Sequence, residues 1–124
     1  MTEEIQDIIN EMERAILIQP MAGLSAPQLG FSLKIAIVSH PGLHCVMINP
    51  EVIKESRQTH NMREGCMSLP GRNFWMVRPK TVKVSYLDTN WKQCSIKGRD
   101  FLAQILLHEI DHLNGLLCDR GEEI

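Results

Sequence analysis

From Phe101 to Leu113 the chain carries apolar side chains on nearly every face of what their spacing predicts to be a helix: Phe101, Leu102, Ala103, Ile105, Leu106, Leu107, Ile110 and Leu113. A helix that is apolar all round has no side to offer to water, so it must lie inside the molecule. The chain has 124 residues, which falls within the usual size of one domain. The rest of it must therefore wrap around this helix. Asp100 is the expected N-cap and Gly115 the expected stop.

The wrapping elements are read from local pattern. Over residues 3–18, Ile5, Ile8, Ile9, Met12 and Ile16 recur at helical spacing behind Thr2, an N-cap residue, and Pro20 should end that helix. Residues 21–30 hold too much Gly, Pro and small side chain for a regular element, and read as an ordered loop. Residues 34–39 and 45–49 read as two short strands joined by the turn His40-Pro41-Gly42. A polar stretch around residues 54–63 and an irregular segment through Pro79 follow. Val82, Val84 and Tyr86 then alternate with Lys83 and Ser85, the period of a half-buried strand. Asp88-Thr89-Asn90 turns it back into a return strand over residues 93–97. There is no repeat, low-complexity tract or linker. The expected class is α+β: one compact domain, residues 1–124, with short antiparallel strands around a central C-terminal helix.

Composition narrows the function. Apolar residues make up 44% and charged residues 23%, which is globular rather than disordered. A formal net charge of −2, with Lys and Arg scattered, gives no pull toward nucleic acid or anionic lipid. The acidic start Met1-Thr2-Glu3-Glu4 is unlike a secretory signal, and no apolar run is long enough to cross a bilayer. The expectation is a cytoplasmic protein with no membrane or nucleic-acid partner. Four widely spaced cysteines in a reducing compartment read as thiols, ligands or buried residues rather than disulfides.

The polar residues of the buried helix carry the chemistry. His108 and His112 are four apart, so both project from one face and can grip one ion, which makes the helix a metal-binding one. Glu109 between them is suited to taking a proton from metal-bound water, the logic of a His-Glu-x-x-His motif. A catalytic site of this kind needs a third protein ligand and an open position. The candidates are Cys66, Cys45, Cys94, Cys118, a glutamate, or one of His40, His44 and His60. Cys66 is favoured because it follows Gly65 in an irregular segment where the backbone can approach closely. Cys45 and Cys94 fall in strand-like runs and read as small buried residues. Cys118 could instead complete a structural zinc site, and Asp111 either orients a ligand histidine or makes an ion pair.

Three segments in order, Gly23-Leu24-Ser25-Ala26-Pro27-Gln28-Leu29-Gly30, Glu64-Gly65-Cys66-Met67-Ser68 and His108-Glu109-Ile110-Asp111-His112, resemble the three signature motifs of peptide deformylases. The resemblance covers nearly the whole chain. It implies a metal-dependent amide hydrolase that removes the N-formyl group from the initiator methionine of nascent bacterial-type proteins, releasing formate. Carried over, Cys66, His108 and His112 are the metal ligands, Glu109 the general acid/base acting with a metal-bound hydroxide, and Gln28 and the Met67 N–H the oxyanion donors. Gly23 is the position whose backbone pairs with substrate. The implied metal is Fe(2+), with Zn(2+) or Ni(2+) able to occupy the site. Phe101 and Ile105 are candidates, by position, for an apolar methionine pocket, and Arg78 resembles an arginine that pairs with Glu64.

The chain departs from the family pattern at Met21 and Ser25, which stand where Gly and Ala are usual, and at Met67, which replaces Leu. By the resemblance it is also expected to be a member shortened at both ends, in the style of minimal ones carried by bacteriophages or marine viruses. It is expected to be a monomer acting on formyl-Met nascent peptides, with ribosome association left open but without the C-terminal helix through which cellular members dock on the ribosome. Two rivals share the helix motif. One is an endopeptidase, which the Cys66 segment argues against, and the other is a metal-stabilised binding module that would not need Glu109.

Overall fold

In the computed structural model, which describes residues 2–19, 21–65 and 69–124, two helices pack on two antiparallel sheets, an α+β architecture. Helix α1 (Glu3–Ile18) starts where Thr2 Oγ1 accepts a bond from the Ile5 N–H at 3.2 Å, and it buries Ile8, Ile9, Met12 and Ile16. The strands are β1 (Gly23–Ser25), β2 (Ile35–His40), β3 (Leu43–Glu55), β4 (Thr59–Glu64), β5 (Phe74–Pro79), β6 (Thr81–Leu87), β7 (Gln93–Arg99) and β8 (Glu122–Glu123). Helix α2 (Phe101–Leu113) follows β7, and 3-10 turns span Ala26–Leu29 and Cys118–Arg120. The large sheet has the order β1-β2-β3-β6-β7, and the small one β4-β5-β8.

The large sheet is covered on both faces, which explains why β2 reads as an unbroken apolar run. Ala36 and Val38 face α2, where they join Met47, Val82, Val84, Leu106 and Ile110. Ile35 and Ile37 face the other way, against Ile8, Ile9, Met12 and Ile16 of α1. Burial on both faces removes the apolar/polar alternation that marks a half-exposed strand. Close packing of β7 on α2 needs Gly98, because a Cβ there would sit 2.6 Å from Leu106 Cδ1. Fully buried side chains such as Leu106 anchor the helix, each worth about 2–5 kcal/mol against truncation to Ala.

Several local expectations are corrected. The stretch expected to be a loop contains strand β1 and a 3-10 turn, because Ser25 caps the turn and Pro27 fits its first positions. The polar stretch 54–63 is largely strand, in the tail of β3 and in β4, and the segment expected to be irregular includes all of β5. Asp100 occupies the N-cap position of α2 at φ 55°, and its side chain makes no capping bond. Its own N–H is used instead, donating to the Lys80 carbonyl at 2.8 Å. At the other end Gly115 takes φ 78°, and the Leu116 N–H returns to the Asp111 carbonyl, a glycine-dependent stop. Pro20, expected to end α1, lies outside the described residues. No helix among the described residues is long and apolar enough to cross a membrane.

Candidate active site

Helix α2 brings His108, Glu109 and His112 together so that one donor atom from each lies within 4.8 Å of the others. Glu109 and His112 are 4% and 6% exposed. Both ring nitrogens of His112 and Oε1 of Glu109 are out of contact with solvent and have no hydrogen-bond partner among the described residues. Their nearest approach to each other is 3.4 Å. A buried polar atom left unpaired costs about 1–3 kcal/mol, so several at one spot signal a group that the site is built to hold. Two imidazoles and a carboxylate suit a divalent first-row metal ion. Cys66 and Met67 lie outside the described residues, while Glu64 and Gly65 just before them border the same cavity as His108 and Glu109.

His108 is oriented from behind. Its Nδ1–H donates to Glu64 Oε1 at 2.9 Å, which leaves Nε2 as a lone-pair donor. Glu64 is clamped by Arg78, with Nε and Nη2 each 2.7 Å from a carboxylate oxygen, and Arg78 Nη1 reaches Asp111 at 2.6 Å. Arg120 Nη2 meets the same Asp111 oxygen at 2.6 Å. Asp111 thus makes ion pairs, and among the described residues no bond joins it to a histidine. Burial pushes the Glu64 carboxyl up, but the bonds from Arg78 and His108 and the Arg78 charge overcome it and bring it to about 2. Burial would likewise lower Arg78, and the two carboxylates hold it above its ordinary value.

A cavity of about 310 Å³ opens beside this cluster, bordered by Gly23, Gln28, Phe101, Gln104, Ile105, His108 and Glu109. Gly23 belongs to β1, an edge strand of the large sheet, so among the described residues its backbone pairs with a strand on one side only. A Cβ at Gly23 would lie 2.5 Å from Glu109 Oε2, so only glycine leaves room for that carboxylate. Gln28 is fixed by Ser25, whose backbone N–H and Oγ–H donate to Gln28 Oε1 at 2.9 and 3.0 Å. That orientation turns the Gln28 amide N–H groups away from Ser25, and they have no partner among the described residues. Ile105 is buried, whereas Phe101 is half exposed at the mouth, 5.8 Å from the His40 ring.

The other histidines and cysteines are placed elsewhere. His44 bonds to Glu13 of α1, His60 lies on β4, and Cys45 and Cys94 sit in β3 and β6–β7 pairing. Buried Cys118 directs its Sγ toward the Glu64 carbonyl at 3.9 Å. Two contributors escaped the sequence reading. Ser25 was visible only as a departure from a motif. Gln104 is the sole polar residue in 101–107, one turn before His108 on the same face, and that placement was the signal. Its amide donates to the Arg63 carbonyl at 2.9 Å, tying α2 to β4.

Comparison with known proteins agrees with this layout. The model of the polypeptide deformylase family matches residues 1–123. The peptide deformylase of Borreliella burgdorferi is 38% identical over 117 residues, 93% of this chain and 71% of that one. Among solved structures, the peptide deformylase of Legionella pneumophila superimposes with a TM-score of 0.91 at 36% identity, over 97% of this chain and 72% of that one. The class I type b peptide deformylase of Acinetobacter baumannii bound to Met-Ala-Ser does so with a TM-score of 0.89 at 29% identity, over 97% and 82%.

Proposed function

The chain belongs to the polypeptide deformylase family of hydrolases, and from that premise we propose that residues 1–124, as one domain, remove the N-formyl group from formyl-methionine at the start of nascent polypeptides. The observation that carries this reading is the set of buried atoms of His112 and Glu109, without hydrogen-bond partners among the described residues, beside the cavity that Gln28 and Gly23 border. Water is consumed, the formyl C–N bond breaks, and formate and a free amine leave.

Cys66, His108 and His112 would hold the metal, with Glu64 fixing the His108 ring. A divalent ion there, Fe(2+) by family habit with Zn(2+) or Ni(2+) as substitutes, supplies Lewis acidity toward water and the formyl oxygen. Glu109 takes the proton of the attacking water and delivers it to the leaving amine. Gln28, held by Ser25 through its carbonyl oxygen, and the Met67 N–H donate to the formyl oxygen as it becomes negative, and one such donor is worth about 100-fold or more in rate. The Gly23 edge of β1 suits an extended peptide added as a further strand. The methionine side chain enters toward Phe101 and Ile105. The relative from Acinetobacter baumannii is described with Met-Ala-Ser, a peptide of that kind, bound. The working state is a monomer acting in the cytoplasm on chains emerging from the ribosome.

The test is formate release from formyl-Met-Ala-Ser by anaerobically purified protein loaded with Fe(2+), Zn(2+) or Ni(2+), beside Cys66→Ala. Release by the wild type and loss in the variant are expected. No release with any of the three metals overturns the reading.

A further inference from the structure

The side wall of the cavity is not wholly apolar. Gln104 borders it between Phe101 and Ile105, is 7% exposed, and spends one amide N–H on the Arg63 carbonyl. A side-chain amide has two N–H donors and a carbonyl acceptor, so one N–H and the carbonyl oxygen of Gln104 have no partner among the described residues. Resting on the deformylase reading, we propose that Gln104 is a specificity residue that lets the pocket take a methionine-length side chain with an uncharged polar tip, methionine sulfoxide above all, alongside methionine.

The physical case is one of matching. A sulfoxide oxygen stripped of water in an all-apolar pocket loses its hydrogen bonds, a penalty that typically costs roughly tenfold or more in affinity. The spare N–H of Gln104 supplies a donor for that oxygen, and Phe101 and Ile105 cover the methylene stem. Methionine itself loses little, because its thioether is polarizable and adaptable. The tie to Arg63 holds the amide in place, so the donor is oriented before the ligand arrives.

Two measurements test this. The first is the ratio of kcat/KM for formyl-Met-Ala-Ser to that for its methionine-sulfoxide counterpart, in the wild type and in Gln104→Leu. The second is calorimetric binding of the two deformylated tripeptides to metal-free protein. A wild-type ratio within about tenfold, rising at least another tenfold in the variant with a parallel change in the binding ratio, is expected. Because each ratio is internal to one protein, a general loss of activity cancels. Should Gln104→Leu fail to fold, Gln104→Asn withdraws the amide by one methylene and is expected to raise the ratio in the same sense. A ratio that does not move with residue 104 overturns the proposal. Absence of formate from formyl-Met-Ala-Ser with the wild type overturns the deformylase reading instead.

Discussion

On one side of α2 both carboxylate oxygens of Glu64 are bonded, to Arg78 and to His108, and Asp111 is shared by Arg78 and Arg120. One turn along the same helix, His112 and Glu109 are as deeply buried and hold three atoms with no partner among the described residues. The first arrangement is self-sufficient, since every buried charge meets another with good geometry. The second leaves polar atoms unmatched among the described residues. Buried polarity in this molecule therefore takes two forms, and satisfaction tells them apart: the paired network holds positions, and the unpaired cluster is the part that the proposed function assigns to chemistry.

The two glutamates give the largest contrast. Glu109→Gln should lower kcat by about 100- to 10,000-fold while the midpoint of urea unfolding is kept, because buried Glu109 Oε1 has no hydrogen-bond partner among the described residues to lose. Arg78→Ala should do the reverse in kind. It strands the 2%-exposed Glu64 side chain and should cost about 3–5 kcal/mol, read from the same urea curves. If both variants lose stability equally, the distinction between the regions fails.

A pH titration sharpens it. The Glu64 carboxyl is depressed in the fold from its ordinary 4.5 to about 2. Its contribution is then fully present above the unfolded value and is lost as pH falls from the ordinary carboxylate range toward 2. The size is on the order of 3 kcal/mol. Unfolding of metal-free protein between pH 5 and about 2 should show this loss, and Glu64→Gln should flatten it.

The smallest effect belongs to the strand side of the cleft. Ser25→Ala removes one of two donors that aim Gln28, and leaves the backbone N–H. A fall in kcat of roughly 3- to 10-fold at unchanged KM is expected, the worth of about one hydrogen bond. A change in KM alone would mean that Ser25 shapes binding rather than the orientation of Gln28.

How much of this was legible in the sequence follows from how each element is buried. Helix α2 announced itself because residues 101–113 are apolar all round, and α1 because its apolar residues keep helical period on one face. Strand β5 did not. Its inward residues are Phe74, Met76 and Arg78, and its outward ones include Trp75 and Val77, so a buried cation and exposed apolar side chains erase the expected alternation. The His108-Glu109-His112 set was visible because a helix converts spacing into proximity. The tie from Gln104 to Arg63 joins residues 41 apart, and the clamp of Arg78 on Glu64 joins two strands. Only the fold brings those partners together, and a family likeness had supplied the second pair.

The small sheet pairs β4 with β5 and β5 with β8, and among the described residues none of these strands pairs with the large sheet. It is held to α2 by side chains, chiefly Arg78, Glu64 and Gln104. Backbone amides in β4 and β5 accordingly have an opening route that leaves the five-stranded sheet and its apolar core intact. Each such opening also withdraws Glu64 from His108. Hydrogen exchange of β4 and β5 amides is therefore expected to be faster than that of the five-stranded sheet, and equal protection of the two sheets would show that the cleft opens only when the whole molecule unfolds.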